Sequence, residues 1–306
     1  MSRRAPLFGL FLPQLRMEFA TIERRVRVAE ELGFHSVWLM DHLSPPGLPK
    51  ADCFEAWTLA SVLAARTSTI RIGHLVLCAP FRHPALLAKM AATLDVISGG
   101  RLELGLGWGS VADELSAFGV SDHPAPVRAA QLSELLEILE LMFSGEEVSF
   151  AGEHYRLDGV TSRPRPVAGR VPIHLGGAGT QLTMPLVSRF ADWWNCPSYA
   201  VDRVAVLKPL AGSARLSMQH PLALAPAAAG RDEVVATAQR RFGSWGGVIA
   251  GTPDEVAASL AREAALGAEL FVLQFSDFGA PETLQLFARE VIPAVAAAVS
   301  EGPAAR

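Results

Sequence analysis

The chain has 306 residues, of which 50% are hydrophobic, and a formal net charge of -4. This composition predicts a large core and excludes extensive disorder, and the interspersed charges exclude a nucleic-acid-binding face. Since no apolar run approaches the roughly 18 residues of a membrane span, we expect no membrane partner. The three cysteines, Cys53, Cys78 and Cys196, are widely spaced and odd in number, which favours reduced thiols in a cytoplasmic protein.

Helical patterns alternate with short apolar runs along the chain. A helix predicted over 21–32 gives way at Gly33 to an apolar run, and the same junction recurs at Gly99 and Gly267. The predicted strands are 7–12, 36–40, 71–77, 102–107, 172–176, 192–195, 215–223 and 270–274. The seventh is the weakest because Pro221 interrupts it. This alternation favours an α/β fold, a closed (β/α)8 TIM barrel in one domain over 1–306, over an open doubly wound sheet.

Two regions break the alternation. Residues 148–157 read as two extended pieces around a turn, so we predict a hairpin within an insertion at about 144–170. Residues 223–251 form a second irregular region, in which 232–241 is helical and 242–248 is a candidate lid. Because barrel ligands bind at the carboxyl ends of the strands, both regions could border a site.

Asp41 and His42 directly follow the second predicted strand. At the mouth of a barrel, a carboxylate and an imidazole can orient a cofactor and move a proton, because imidazole titrates near neutral pH. The alternative is structural, with Asp41 capping the next loop and His42 packing under the prolines that follow. Spacing alone leaves both interpretations open.

A glycine-rich segment ends the fourth predicted strand. Gly105, Gly107 and Gly109 invite comparison with a dinucleotide fingerprint, but its third glycine would fall at Ser110. The glycines more readily let the backbone approach a flat ligand, with Trp108 lining its face. A purely structural tight turn is the alternative.

A second glycine-rich segment, Gly176, Gly177 and Gly179, lies between a predicted strand and a helix expected to begin near Thr180. Free amides at a helix N-terminus form an anion site, so this is the chain's phosphate-binding candidate. A glycine-rich turn without a ligand is the other interpretation. The eight histidines include no HxH or HExxH spacing, so no metal site is expected, and no GxSxG elbow is present.

Taken together, these segments resemble the bacterial luciferase-like superfamily and, within it, the deazaflavin-dependent oxidoreductases. The resemblance covers almost the whole chain and depends on the order and spacing of many short motifs rather than on any one of them. The motifs are residues 10–14, 29–34, 36–38, 41–42, 73–84, 88–95, 98–102, 117–119, 176–177, 251–253 and 292–293.

The resemblance implies a (β/α)8 barrel that binds coenzyme F420, a deazaflavin, or alternatively FMN, at the strand carboxyl ends. It implies a bulge with a non-prolyl cis peptide near Leu75 and Val76, behind the cofactor ring. His42 would donate or accept a proton beside a hydride transfer. The implied cofactor contacts are Asp41, Leu75, Val76, Cys78, Trp108 and Gly109 at the ring, Asp113 at the side chain, and Gly176, Gly177, Gly179 and Thr180 at the phosphate.

Two departures bear on the substrate. The sugar-phosphate dehydrogenases of the superfamily have a tryptophan where this chain has Pro46 and a glutamate where it has Ser110. The main hypothesis is therefore an F420-dependent oxidoreductase acting on an unidentified small organic molecule. A reduced-FMN-dependent monooxygenase of the same fold and a cofactor-binding protein without turnover are the alternatives. Dimers are common in the superfamily, so a homodimer is open.

Overall fold

The structure, a computed structural model, describes residues 4–121 and 123–301. The ends of the domain predicted over 1–306, and residue 122, lie outside the described residues. The strands are β1 (Leu7–Phe11), β2 (Ser36–Leu39), β3 (Arg71–His74), β4 (Leu77–Cys78), β5 (Leu102–Gly107), β6 (Glu147–Ala151), β7 (Arg156–Thr161), β8 (Ile173–Gly176), β9 (Trp193–Cys196), β10 (Arg215–Leu224), β11 (Ile249–Gly251) and β12 (Ala268–Phe275).

The helices that alternate with these strands surround the sheet. They are α1 (Phe19–Glu31), α2 (Ala56–Arg66), α3 (Pro84–Ser98), α4 (Ala112–Ala117), α5 (Ala125–Phe143), α6 (Thr183–Phe190), α7 (Val204–Leu207), α8 (Arg231–Phe242), α9 (Pro253–Ala265), α10 (Pro281–Leu286) and α11 (Ile292–Glu301). A π-helical turn joins the last two, and short 3-10 turns occupy Ala79–Phe81, Ser198–Arg203, Lys208–Ala211 and Gly243–Trp245.

Parallel pairing closes the sheet into a barrel. Neighbouring strands pair in the order β1, β2, β3, β5, β8, β9, β10 and β12, and β12 pairs with β1. This confirms the predicted (β/α)8 barrel. The antiparallel pair β6 and β7 forms a separate hairpin between β5 and β8, as predicted.

Alternating strand residues build two layers of core. On β12, Leu270 and Val272 face the inside of the barrel, whereas Phe271 and Leu273 pack beneath the surrounding helices. Because the strands are buried on both faces, they read in the sequence as nearly continuous apolar runs. The interior cluster consists of Phe11, Trp38, Met40, Leu75, Trp193, Leu270 and Val272.

The strand judged weakest from the sequence is a ten-residue strand, β10. Met218 is its last residue paired with β9, and Leu222 is its first residue paired with β11. Pro221 lies in the gap between these two pairings, so its missing N–H removes no hydrogen bond on that side. Strand β11, which the sequence analysis did not identify, lies at the end of the predicted irregular region.

The strand predicted over 71–77 is interrupted. β3 ends at His74, β4 begins at Leu77, and the peptide bond between Leu75 and Val76 is cis, at the position that the resemblance implied. The neighbouring strand β5 makes room for this bulge: a Cβ on Gly105 would lie 1.9 Å from the His74 carbonyl oxygen. At least this glycine therefore serves strand packing rather than approach to a ligand.

The last helical segment, 281–301, is mostly apolar. Among the described residues, the segment 281–301 is the only helix long and apolar enough to cross a membrane by length and composition. Its side chains Phe287, Val291 and Val295 are fully buried, and Phe287 packs edge-on against Phe8 of β1 at 5.5 Å. The segment therefore packs on the barrel as its last helix.

We predict that Gly105→Ala lowers the free energy of unfolding by about 3 kcal/mol, because the new methyl group would overlap a backbone oxygen that cannot move independently of β3. Urea denaturation measures the change. Gly243→Ala is the control, since its Cβ would meet only the tip of the Gln239 side chain at 3.2 Å. Equal stability of both variants would contradict this packing.

We also predict an acid-sensitive core around His74. Burial lowers its pKa from 6.5 to about 4, and its ring, stacked on Trp57, has a buried Nδ1 without a hydrogen-bond partner in the described part of the chain. Because the unfolded chain binds this proton more readily, the free energy of unfolding should fall by about 3 kcal/mol as the pH drops from 6.5 to 4. His74→Phe should lose that part of the pH dependence, measured by urea denaturation at several pH values. An unchanged slope would show that His74 is not responsible.

Candidate functional site

A cavity of about 390 Å³ opens at the carboxyl ends of β2, β4, β5 and β8. It brings together most of the residues predicted from the sequence. Those that line it are Asp41, His42, Leu75, Val76, Cys78, Trp108, Gly109, Gly176, Gly177 and Gly179. Asp113 and Thr180 do not line the cavity, whereas the nearby residues Glu114 and Thr183 do.

The back wall of the cavity is apolar. Leu75 and Cys78 are buried, Val76 is half-buried, and Trp108 stands on the adjacent loop. Burial raises the pKa of the Cys78 thiol to about 12, so it is protonated at neutral pH. Cys78 is therefore a neutral wall residue rather than an activated nucleophile.

Asp41 ties the loops after β2 and β4 together. Its carboxylate accepts hydrogen bonds from the Cys78 amide at 2.8 Å and from both terminal nitrogens of Arg82, at 2.6 and 3.0 Å. Arg82 also donates to Glu55 at 2.7 Å. Since a bidentate arginine and an amide already satisfy this buried carboxylate, its main observed role is to fix the cavity wall.

His42 is held by a carboxylate from α4. Its Nδ1 lies 2.8 Å from Glu114 Oε2, while Glu114 Oε1 accepts hydrogen bonds from the amides of Leu43 and Ser44 at 2.7 and 2.9 Å. We assign the proton to Nδ1 because an ionised carboxylate only accepts hydrogen bonds. The other ring nitrogen, Nε2, is then free to exchange a proton with a molecule in the cavity.

The sequence analysis did not identify Glu114, the neighbour of the predicted cofactor contact Asp113. On a helix, residue 114 follows Val111 by three positions and precedes Leu115, so it lies on the same apolar face. Glu114 is accordingly buried, with 8% of its surface exposed, whereas Asp113 is exposed. A buried acidic residue on an apolar helical face was the signal that could have identified it.

The loop that carries Trp108 is anchored from behind by Arg128 of α5, which the sequence analysis also missed. This buried guanidinium donates to the carbonyl oxygens of Trp108 at 3.2 Å, Gly109 at 3.3 Å and His123. Gly109 itself has a φ of +86° and leaves space beside Cys78 Sγ. The wall that this loop forms is thus held in place by one buried side chain, Arg128.

The glycine segment after β8 leaves backbone amides unused. The Gly177 amide donates to the Asn195 carbonyl at 3.2 Å, and α6 begins only at Thr183, later than predicted. The amides of Ala178, Gly179 and Thr180 have no partner within the described part of the chain. This bare turn could therefore donate several hydrogen bonds to a phosphate.

Metal ligands are not grouped in this structure. Within 4–121 and 123–301, no set of three or more histidine, cysteine, aspartate or glutamate side chains could hold a metal ion. The polar groups at the cavity are instead engaged with one another, as the Asp41–Arg82 and His42–Glu114 pairs illustrate.

Sequence comparison identifies relatives of known activity. The F420-dependent glucose-6-phosphate dehydrogenase of Microbacterium testaceum (strain StLB037) is 37% identical over 166 residues, which are 54% of this chain and 48% of that protein. The F420-dependent hydroxymycolic acid dehydrogenase of Mycobacterium tuberculosis (strain ATCC 25618 / H37Rv) is 28% identical over 217 residues, 71% of this chain and 59% of that protein. The chain spans about half the length of the curated relatives it matches.

Structural comparison supports the same fold. An F420-dependent secondary alcohol dehydrogenase, solved in complex with an F420-acetone adduct, superposes with a TM-score of 0.81 over 95% of this chain and 99% of that one, at 21% identity. The sequence profile described as luciferase-like monooxygenase matches residues 7–207, well over half of the chain. The protein therefore belongs to the luciferase-like monooxygenase family.

Proposed function

We propose that the protein is an oxidoreductase that transfers a hydride between the deazaflavin coenzyme F420 and a small organic substrate. The observation that carries this proposal is the position of His42: a histidine oriented by a buried carboxylate opens onto the same cavity as a flat apolar wall and a bare glycine turn. The F420-dependent dehydrogenases among the relatives support the choice of coenzyme.

The cavity fits such a coenzyme by two features of its own. Leu75, Val76 and Trp108 offer apolar surface to a ring system, and the unused amides after Gly177 would hold a phosphate. A side chain at Gly177 or Gly179 would crowd Thr183, at 3.1 and 3.2 Å, so the turn stays open only with glycine. When bound, the coenzyme supplies the hydride acceptor or donor.

The protein's own groups supply orientation and a proton site. Glu114 fixes the His42 ring and its tautomer, so Nε2 can take a proton from a substrate hydroxyl or return one to a carbonyl oxygen. Asp41 and Arg82 keep the wall in place. Arg82 occupies part of the Asp41 carboxylate. We propose that the part left accessible makes the predicted contact with the cofactor ring.

A reduced-FMN-dependent monooxygenase is the second candidate, because the matching family is described as monooxygenases. A protein that binds the cofactor without turnover is the third. Asp113 and Thr180 are exposed, and a contact from either would be to cofactor parts that extend beyond the cavity. These assignments stay predictions.

We also propose a cytoplasmic location and a single domain. All three cysteines are free, and burial raises the thiol pKa to about 11 at Cys53 and about 12 at Cys78 and Cys196. Cysteines that form no disulfide suit a reducing compartment. A homodimer remains a prediction from the resemblance.

We expect the purified protein to bind F420 with micromolar affinity and to have no measurable affinity for FMN, as measured by titration of cofactor fluorescence.

Gly177→Ala should weaken F420 binding by about tenfold or more, because its methyl group would crowd Thr183 beneath the phosphate turn. Gly33→Ala is a matched control, since Gly33 also has a positive φ but lies away from the cavity.

Affinity for FMN without affinity for F420 would overturn the first proposal in favour of the monooxygenase. An unchanged F420 dissociation constant in Gly177→Ala would remove the glycine turn from the binding site. Equal weakening in Gly33→Ala would attribute the effect to overall stability instead.

We expect His42→Ala to lower turnover by about 10²-fold or more while F420 affinity stays nearly unchanged, because general acid–base groups contribute on this scale. Glu114→Gln should also lower turnover, since its amide would face Nδ1 and force the proton onto Nε2. Nitrogen-15 NMR of the His42 ring would detect this change of tautomer independently of activity. His154→Ala, outside the cavity, is the control. Parallel loss of turnover and F420 affinity in His42→Ala would make His42 a binding or folding residue.

A further inference from the structure

A second cavity, of about 440 Å³, lies beside the first at the barrel mouth. Tyr199 lines both, so the two are adjacent. The remaining lining residues are Pro197, Ser198, Gln219, Pro221, Ser244, Trp245 and Gln274. They come from the ends of β9 and β12, from β10, and from the segment that was predicted as a lid.

Two glutamine amides face this cavity from inside the barrel. Gln274 alternates along β12 with Leu270 and Val272, which belong to the interior cluster, and Gln219 lies on the adjacent strand β10. Gln274 is only 6% exposed and Gln219 is half-buried, and neither side-chain amide has a hydrogen-bond partner in the described chain. Both side chains line the cavity, so their unpaired amides can donate hydrogen bonds to a molecule that enters it and accept hydrogen bonds from it.

Aromatic and proline side chains form the opposite walls. Tyr199 and Trp245 lie on two loops that are packed tightly together: Ser198 Oγ donates to the Trp245 carbonyl at 3.3 Å, and a Cβ on Gly247 would lie 2.3 Å from the Ser198 carbonyl oxygen. The segment predicted as a lid is thus fitted against residues 198–199. Such walls suit an apolar or aromatic ring.

The charge of the second cavity is as informative as its shape. Among the residues that the structure describes, its lining contains no lysine, arginine, histidine, aspartate or glutamate. A phosphate or carboxylate in this cavity would give up part of its hydration without meeting a cation in the lining, which is unfavourable. The lining therefore selects for an uncharged molecule that offers one or two hydrogen-bonding oxygens to the amides.

We propose that the second cavity is the substrate subsite and that its ligand is an uncharged organic molecule with an apolar ring and a hydroxyl or carbonyl oxygen, other than the one that reacts at His42, bound by Gln274 and Gln219. The inference rests on the proposed function, which places the cofactor in the adjoining cavity. It sets the substrate of this chain apart from a sugar phosphate, in agreement with the replacement of glutamate by Ser110.

Ligand-observed NMR with the F420-loaded protein tests this inference with three probes: 1-phenylethanol, ethylbenzene and glucose 6-phosphate. The alcohol should bind, and Gln274→Leu should weaken it by about tenfold because one hydrogen bond is lost. Ethylbenzene, which has no oxygen, should bind both forms within about twofold. Gln285→Leu, an exposed change on an outer helix, is the matched control. Gln219→Leu provides a second variant if Gln274→Leu does not fold.

Binding of glucose 6-phosphate as tight as that of 1-phenylethanol would overturn the inference, and so would an unchanged alcohol affinity in both glutamine variants. F420 affinity, measured separately by fluorescence, should be the same in all forms. If F420 fails to bind while the alcohol still depends on Gln274, the proposed function fails and the assignment of an uncharged ligand to the second cavity stands.

Discussion

The site depends on the interruption of the third barrel strand between His74 and Leu77. This bulge pushes Leu75 and Val76 into the barrel mouth and directs the chain so that the Cys78 amide meets Asp41. It exists only because β5 carries no side chain at Gly105, where a Cβ would meet the His74 carbonyl oxygen at 1.9 Å. One steric constraint between neighbouring strands thus sets the position of the cavity's back wall.

The two carboxylates of the cavity, Asp41 and Glu114, are both paired with hydrogen-bond donors. Asp41 is neutralised by Arg82 and an amide, and Glu114 receives two amides and the His42 ring. Burying an unpaired carboxylate would cost several kcal/mol, and these contacts offset that cost. No arginine or lysine within 4–121 and 123–301 lines the cavity, so an anionic cofactor group would depend on backbone amides after Gly177.

Much of this arrangement was predictable because it follows from local rules. Strand periodicity and glycine at helix ends placed all eight barrel strands, and the rule that ligands bind at strand carboxyl ends gathered Asp41, Cys78, Trp108 and Gly176. Glu114 was not predicted because its partner His42 is 72 residues away and because the orientation of the Glu114 side chain depends on how α4 packs. Gln274 was not predicted for a related reason. The sequence shows only a glutamine at the end of an apolar strand, and it shows neither that the side chain lacks a partner nor that a cavity lies beside it.

The barrel mouth holds two adjoining cavities, which the proposed function and the further inference assign to the cofactor and to the substrate. The wall and turn of the first cavity belong to barrel strands and the loops directly after them, where strand packing restricts change. The second cavity draws Trp245 and Ser244 from the irregular region after β10, and such segments tolerate change more readily. Tyr199 borders both, so in the proposed arrangement a change at this residue would affect the cofactor and the substrate together. In the proposed arrangement, substrate preference would therefore be set by the charge and shape of the second cavity rather than by the groups that orient His42.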